Sequence, residues 1–353
     1  MKKNHSFAPF FRVLSTGLVN VALLASALMV FYSQSGAQSG SDYKRRMDEA
    51  IGSYKAANYD KAIKLLSALA SDKRIDRADL REIWRYLGRS YVAKSLNDKA
   101  KEAIAKLLDL EPPIIELDPD AECPPLMKIY YDVRKTKTGS TQIEIPDPGI
   151  KTIAILDFKN RSIDDKEKFD PMEKGFAELL INQLNGAVNL KVIERERIQW
   201  ILDEIGLEND PGKFDPESAV RVGKQLGVHT ILIGNFIKAK DELYLGARLV
   251  KVETSEILMT EQEKGDADDF FELVEDLSAK VAKGINVALS QAELEKGTET
   301  RSLDAMMAYS EGLVLLEKGN YKMAYDKFMQ ALSIDSKYDK ARIKAESLKP
   351  LLG

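Results

Sequence analysis

The sequence predicts an α+β fold, in which a mixed β-sheet with packed helices is flanked on both sides by all-α helical hairpins. Between residues 150 and 290, short apolar runs alternate with stretches that have the period of a helix. Residues 42–112 and 302–347 show only the helical period, and their patterns repeat one another. The composition, 44% hydrophobic and 31% charged, is that of a globular protein.

Residues 1–37 have the order of an export signal peptide. Basic residues come first, the apolar run Val21–Tyr32 follows, and small residues precede a cleavage site expected at Gln38. An uncleaved anchor is the alternative, because Val13–Tyr32 is almost long enough to span a bilayer. Polar residues and a glycine interrupt that longer run, so we favour cleavage. In both cases we expect the rest of the chain to be exported, in the periplasm or associated with the outer membrane.

The charge of the chain argues against a nucleic-acid partner, and its cysteine content argues against a disulfide and a lipoprotein anchor. The chain has a net charge of −4, and residues 1–37 hold three basic and no acidic residues, so the remainder is more acidic still. Such a surface repels phosphate groups, and we expect no nucleic-acid partner. Cys123 is the only cysteine and lies far from the signal, so we expect no disulfide and no lipoprotein anchor, which needs a cysteine directly after the cleavage site. We expect its thiol to be buried and inert.

Residues 42–112 carry a two-helix repeat, clearest in "WRYLGRSYVAKSLNDKAKEAIAKLLDLEP". A weaker copy, "KAANYDKAIKLL", precedes it, and a third, "YSEGLVLLEKGNYKMAYDKFMQALSID", lies within residues 302–347. These segments resemble tetratricopeptide repeats, in which small residues such as Gly88 and Ala100 let two helices approach closely. One repeat cannot bury its own apolar face, so the C-terminal copy is expected to pack on another domain or another chain.

In the tetratricopeptide family, the first helix of each repeat lines a groove that binds peptides. The resemblance implies a groove lined by Lys44, Met47, Ile51, Tyr54, Lys55, Glu82, Arg85 and Arg89. Its cations suit an acidic or C-terminal peptide. The alternative is a solvated basic face on a small cap, since two repeats fall short of the three that usually form a free-standing solenoid.

Residues 113–149 are predicted to be a proline-rich linker between the helical part and the central domain. The stretch "EPPIIELDPDAECPP" is rich in proline and acidic residues, and "TKTGSTQIEIPDPG" is typical of extended chain. Between them, "LMKIYYDVRK" predicts one short amphipathic helix.

The central domain, residues 150–290, begins with strand "TIAILDF", a helix, strand "LKVIER" and the helix "ERIQWILDEIGL". In "DPESAVRVGKQLG" we expect a helix with Asp215 as N-cap, Pro216 in the first turn and Gly227 as C-cap. The apolar run "VHTILIGNFI" predicts a strand covered on both faces. It is followed by an antiparallel hairpin, a third antiparallel strand and a long closing helix.

The phrases "AILDF", "VIERERI", "LGVHTILIGNF" and "LGARLVKVETSEIL" resemble the curli production assembly/transport component family, CsgG. They are also similar to the amino-terminal domain of TolB and to FlgO-type proteins. The resemblance implies an exported domain that works in the periplasm or at the outer membrane by assembling with itself or with other proteins. It identifies one run as an intersubunit contact: Glu194, Arg195, Glu196 and Arg197. The alternative for this run is a strand-to-helix junction held by surface ion pairs.

The hairpin "GNFIKAKDELYLGARLVKVETSEIL" limits what this domain can do in a membrane. In the curli secretion channel, membrane-spanning hairpins are inserted into this fold. Such a hairpin needs about twenty extra residues, since each strand takes about ten to cross a bilayer. There is no room for one between Ile237 and Leu243, and Thr260–Asp269 is equally short and heavily charged. The sequence therefore predicts no intrinsic membrane-spanning barrel.

The sequence offers no clear catalytic site. His229 is the only histidine after the signal, no histidine–cysteine cluster suits zinc, and no glycine-rich phosphate loop follows a strand. Asp157, Asn160 and Arg195 lie near strand ends, where α/β folds often place sites, but turn capping explains the first two equally well. We expect no catalytic residue, no cofactor and no metal.

Together these features predict a non-catalytic scaffold or assembly factor for envelope assembly or protein export. Its expected partners are proteins or peptides of the envelope, including further copies of the same chain through the central domain. The first alternative is a subunit of a secretion channel whose barrel is supplied by partners. The second alternative is a hydrolase that uses acidic residues.

Overall fold

The computed structural model describes residues 42–110, 116–143, 147–207, 215–289 and 300–352. The predicted signal peptide, residues 1–37, lies outside the described residues. The chain divides into two compact units, Met1–Tyr86 and Leu87–Gly353. The domain boundary within residues 113–149 stays a prediction. None of the helices in the described ranges has both the length and the apolar character that crossing a membrane requires.

The first unit is helical. It contains α1 (residues 42–55), α2 (Tyr59–Ala70) and the beginning of α3 (Arg77–Ala93). Asn58 caps α2 by accepting a hydrogen bond from the backbone N–H of Lys61, at 3.3 Å. The core of the unit is formed by side chains that are fully buried: Ala50, Ala62, Leu66, Leu69 and Ile83.

The second unit begins with the end of α3, followed by α4 (Asn97–Leu108) and α5 (Pro124–Thr138). Gly88 allows α3 to lie close to its neighbours, because a Cβ there would be 3.1 Å from Ile104 Cδ1 and 3.3 Å from Leu126 Cδ1. This is the packing role that the repeat spacing predicted for the glycine. The assignment of these helices to tetratricopeptide repeats stays a prediction.

The sheet of the second unit is mixed, which confirms the predicted α+β class. Its strand order is β3-β1-β4-β5-β6, and the short β2 also pairs with β4. The pairs β1–β3, β1–β4 and β2–β4 are parallel, whereas β4–β5 and β5–β6 are antiparallel. The strands are β1 (Lys151–Ile155), β2 (Lys159–Asn160), β3 (Leu190–Val192), β4 (Thr230–Ala239), β5 (Glu242–Lys251) and β6 (Ile257–Asp266).

The helices of this domain are α6 (Lys166–Phe169), α7 (Met172–Leu184), α8 (Arg195–Glu204), α9 (Pro216–Leu226) and α10 (Phe270–Ile285). Helices α7 and α10 share one buried core with the sheet, in which the Phe176 ring packs against Phe158 and Phe236. Gly227 ends α9 at φ 72°, as predicted. Asp215 occupies the N-cap position, but its side chain makes no capping hydrogen bond.

The hairpin between β4 and β5 is tighter than the sequence suggested. Ala239 pairs with Glu242, so only Lys240 and Asp241 form the turn, and Lys240 takes the left-handed φ of 53°. The polar residues Lys238 and Glu242 belong to the paired strands and not to the turn. Strand pairing uses backbone groups, so polar side chains remain free to face solvent.

The C-terminal helices are α11 (Leu303–Glu317), α12 (Tyr321–Ile334) and α13 (Asp339–Leu348), followed by a 3-10 turn at Lys349–Leu351. They pack on the central domain, as expected for an isolated repeat. Met306 and Tyr309 are fully buried in the same core as the sheet, and a Cβ at Gly175 of α7 would lie 3.0 Å from Met306 Cε.

Candidate functional site

The end of β1 and the start of α8 meet at a buried ion-pair cluster. Asp157 accepts from Arg195 Nε at 3.3 Å and from Lys174 Nζ at 2.9 Å. Glu317, at the end of α11, pairs with the same two cations. Arg195 is only 3% exposed. Burial alone would lower the pKa of Arg195, but the charges of Asp157 and Glu317 raise it above its ordinary value.

A second ion-pair cluster joins α13 to α7, α8 and the segment before α5. Lys340 Nζ lies 2.6 Å from Asp120 and 3.0 Å from Glu178. Lys344 Nζ lies 2.9 Å from Asp120 and also pairs with Glu196. Burial alone would raise the pKa of Asp120, but the two lysines lower it well below its ordinary value.

We call these two clusters together the charge network. Its members are Asp120, Asp157, Lys174, Glu178, Arg195, Glu196, Glu317, Lys340 and Lys344. Each of them has a partner of opposite charge on a different element or segment. The network therefore ties the C-terminal helices to the central domain.

The predicted intersubunit run lies within and beside this network. Arg195 and Arg197 are 3% and 4% exposed, so the description of the run as surface ion pairs is wrong for these two residues. Arg197 donates to the backbone oxygen of Thr141 at 3.0 Å. Burial lowers the pKa of Arg197 and raises the pKa of Glu194. The role of the run as a subunit contact stays a prediction, and within the chain Arg195 and Glu196 bind other helices.

An open groove of about 350 Å³ lies beside the charge network. We call it the aromatic groove. It is lined by Pro124, Pro125, Met127, Lys128, Tyr131, Arg195, Glu196, Gln199, Trp200, Asp203, Leu316, Glu317 and Tyr321. A second cavity of about 410 Å³ shares Pro125 and Tyr321 with it, so the two cavities adjoin.

The aromatic wall of the groove is held in place from behind. Trp200 Nε1 donates to Asp132 at 3.0 Å, and the Trp200 and Tyr131 ring centroids are 5.4 Å apart. At the rim, Lys128 pairs with Asp203 at 3.0 Å. A wall fixed by hydrogen bonding and ring packing is suited to apolar contact, because little side-chain entropy is lost when it is covered.

The residues predicted to line the N-terminal peptide groove fall into both units. In the first unit, Lys44 and Lys55 are exposed, whereas Met47, Ile51 and Tyr54 are half-buried. Also in that unit, Arg85 pairs with Glu82 at 3.2 Å, and the Tyr54 ring packs against Tyr59 and Tyr86. In the second unit, Arg89 is held by Glu122 at 2.6 Å. The groove stays a prediction, and Arg89 already has a carboxylate partner.

The remaining candidate side chains have structural roles. The Nδ1 atom of His229 lies 2.8 Å from Thr152 Oγ1. Asn160 holds the turn after β2, donating to the backbone oxygen of Lys166 and accepting from the Ser162 N–H. Turn capping is thus correct for Asn160, whereas Asp157 forms ion pairs with Lys174 and Arg195. In the described ranges, no group of side chains has the arrangement of a metal site.

The Cys123 thiol is expected to be almost unreactive in the folded protein. It is 5% exposed, and burial raises its pKa to about 12, so at pH 8 very little of the nucleophilic thiolate is present. Reaction with Ellman's reagent at pH 8 should be at least about a hundredfold slower in buffer than in urea, where the pKa returns to about 8.5. Equal rates in the two conditions would contradict this, and Cys123→Ser gives the blank.

Sequence patterns did not predict the aromatic groove or the second ion-pair cluster. One signal was present: Lys340 and Lys344 are one helical turn apart and adjoin Ala341, Ala345 and Leu348, which are buried. Lysines on an apolar helix face indicate that buried carboxylates pair with them. The sequence could not identify these carboxylates, because Asp120 and Glu178 lie far from Lys340 in the chain.

Comparison with known proteins identifies the family that the central domain resembles. Residues 130–238 match the model of the family described as curli production assembly/transport component CsgG. No curated protein matches the chain.

Three solved structures are similar to part of the chain. The C-terminal domain of LpoB from Salmonella enterica has 13% identity and a TM-score of 0.28, covering 34% of this chain and 86% of that chain. The C-terminal domain of LpoB from Escherichia coli has 15% identity and a TM-score of 0.27, covering 42% and 99%. Lipoprotein GNA1162 from Neisseria meningitidis has 15% identity and a TM-score of 0.29, covering 37% and 96%.

The matched residues begin within α5, inside the segment predicted to be a linker, and end in β4. In the structure, α5 packs on α8 through the rings of Tyr131 and Trp200. The absence of a lipoprotein anchor stays a prediction. The predicted resemblance to the CsgG family is confirmed over residues 130–238.

Proposed function

We propose that the protein is a non-catalytic scaffold or assembly factor of the cell envelope, which binds an extended apolar segment of a partner protein in the aromatic groove. The family matched by residues 130–238 is described as an assembly and transport component, which supports a role in assembly. The observation that carries the proposal is the groove itself, with its fixed aromatic wall and its proline residues.

The charges beside the groove favour an apolar occupant. Arg195, Glu196 and Glu317 line it, and each is already paired within the charge network. A charged group entering here would lose water without gaining an unpaired partner, which is unfavourable. Apolar side chains gain contact with Tyr131, Trp200 and their neighbours at no such cost.

The dimensions favour an extended segment over a small compact ligand. The groove and the second cavity adjoin at Pro125 and Tyr321, so a chain lying in one can continue into the other. Aromatic-lined grooves are known to accept extended peptide segments, whose apolar side chains dock against the rings.

The ion pairs of the charge network are the reason why we assign no catalysis to this region. Asp157 and Glu317 are acidic residues at a strand end and a helix end, where a hydrolase could place an acid and a base. Both are held by Lys174 and Arg195, in a cluster that joins three helices to the sheet. We infer that their role is to fix the wall of the groove.

The proposal is tested by photo-crosslinking in cells. A photoreactive amino acid at Lys128, 62% exposed at the rim of the groove, should crosslink a partner protein. Adding Gln199→Arg, which places a charge in the groove, should reduce the crosslinked product at least about tenfold. Mass spectrometry of the product should map the contact to an apolar segment of the partner.

Met323 provides the control, because it is 57% exposed on α12 and does not line the groove. Met323→Arg should leave crosslinking from Lys128 unchanged, and a photoreactive group at Met323 should not capture the same segment. Thermal unfolding of both arginine variants checks that they remain folded. Crosslinking that survives Gln199→Arg, or a contact that maps to an acidic segment, would overturn the proposal.

A further inference from the structure

Among the residues that the structure describes, helices cover only part of one face of the sheet. Helix α9 packs on this face near Val252, where Gly223 gives it room. Farther along the strands, the side chains of Asn235 and Tyr244 are half-buried, and Arg248 and Gln262 are exposed. Asn235 lies opposite Gly246, which lies opposite Gln262, so these residues form one row across three strands.

This face carries a hollow of about 330 Å³, which we call the sheet hollow. Gly246 lies in the middle of the row, and the Asn235 carboxamide lies over it, since a Cβ there would be 3.1 Å from Asn235 Nδ2. The sheet hollow is lined by Lys159, Arg161, Pro216, Ile233, Gly234, Asn235, Ile237, Tyr244, Gly246, Ala247, Arg248, Thr260, Glu261 and Gln262.

The sheet hollow is basic although the chain as a whole is acidic. Arg161 and Arg248 are exposed, and neither guanidinium has an ion pair or a side-chain hydrogen bond within the part of the chain that the structure describes. Glu261 is the only acidic residue among the described lining residues, and it lies 3.6 Å from Lys280 of α10. The local charge is therefore opposite to that of the rest of the surface.

We propose that the sheet hollow binds an acidic, extended segment of a partner protein. Guanidinium groups pair with carboxylates in a bidentate manner, which gives Arg161 and Arg248 the charge complementarity for alternate acidic side chains. The amides of Asn235 and Gln262 and the hydroxyl of Thr260 suit the backbone N–H and C=O groups between them.

The shape of the sheet hollow favours a protein segment over an anionic membrane. A lipid surface is flat on this scale and cannot enter the sheet hollow, which lies between side chains of three neighbouring strands. A polypeptide in extended form can lie in it and reach both arginines. The sheet hollow shares no residue with the aromatic groove, so this inference is independent of the proposed function.

The test uses fluorescence anisotropy with the full chain and two labelled peptides. One peptide alternates Glu and Val, and the other has Gln in place of every Glu. The Glu peptide should bind, and the double variant Arg161→Glu/Arg248→Glu should raise its Kd at least about tenfold. Raising the salt concentration from about 50 mM to about 500 mM should also weaken binding.

The control variant, Lys337→Glu/Lys318→Glu, changes the net charge equally at exposed positions outside the sheet hollow. It should leave the Kd within about twofold of the wild-type value. Equal binding of the Gln peptide, equal weakening by the control variant, or no binding of the Glu peptide would overturn the proposal.

Vesicles containing phosphatidylglycerol are tested in a separate binding experiment. Vesicle binding that the arginine substitutions abolish, without peptide binding, would assign the site to a lipid surface instead.

Discussion

Replacing Arg195 by methionine is expected to lower the free energy of unfolding of the second unit by about 3–5 kcal/mol. The guanidinium is buried between Asp157 and Glu317, which are 5% and 18% exposed. Methionine preserves much of the side-chain volume but removes the charge. Asp157 and Glu317 would keep their ion pairs with Lys174 but lose the guanidinium between them, so their negative charge would be less well compensated.

Urea unfolding followed by tryptophan fluorescence measures this effect. The chain has two tryptophans, so a Trp84→Phe background leaves Trp200, which lies beside the network, as the reporter. Lys322→Met is the control, because Lys322 and Asp326 form an ion pair in which both side chains are more than half exposed. We expect little change from it, since solvent screens such pairs. A similar small change for Arg195→Met would show that the network does not stabilise the fold.

Replacing Gly234 by alanine is expected to destabilise the second unit by about 1–3 kcal/mol, although it adds only one methyl group. The Phe158 ring lies directly over this glycine, and a Cβ would be 2.5 Å from Cδ1, Cδ2 and Cε1 of the ring. Phe158 is 1% exposed and packs against Phe176, so the ring has no free space to move into. The strand or the ring must shift, and close-packed interiors resist such shifts.

Two comparisons make this prediction specific. Gly52→Ala adds the same methyl group where no heavy atom lies within 4 Å, in the last turn of α1, and should stabilise the first unit by up to about 0.5–1 kcal/mol. Combined with Phe158→Leu, Gly234→Ala should cost less than it does alone, because the smaller side chain removes the clash. The measurement is thermal unfolding by circular dichroism. Equal effects of the two glycine substitutions would contradict the packing argument.

Several elements of the central domain could be predicted because their signals are local. The caps of α9 illustrate this, since Pro216 begins the helix and Gly227 ends it at a positive φ. The strand β4 was recognisable from its apolar run, because a strand covered on both faces needs apolar residues at almost every position. The family resemblance was carried by the same local phrases, and it is confirmed over residues 130–238.

The turn between β4 and β5 shows where local signals are insufficient. Lys238, Asp241 and Glu242 are all polar, but only Asp241 lies in the turn, because backbone pairing continues through the other two. Asp157 shows the same limit of local signals. A carboxylate after a strand forms a buried ion pair only where a cation comes close to it, and the cations that meet Asp157, namely Arg195 and Lys174, come later in the chain.

The sequence by itself determined the main helices and strands of the central domain, the mixed character of the sheet and the packing role of Gly88, but not β2, α6 or α13. The predicted features follow from periodicity and side-chain size over a few residues. Only the tertiary structure decided which charges meet. Arg195 and Glu317 are 122 positions apart, and Lys340 and Asp120 are 220 apart. The aromatic groove and the sheet hollow likewise exist only after the helices and strands have packed, because each is a space between elements that no local pattern describes.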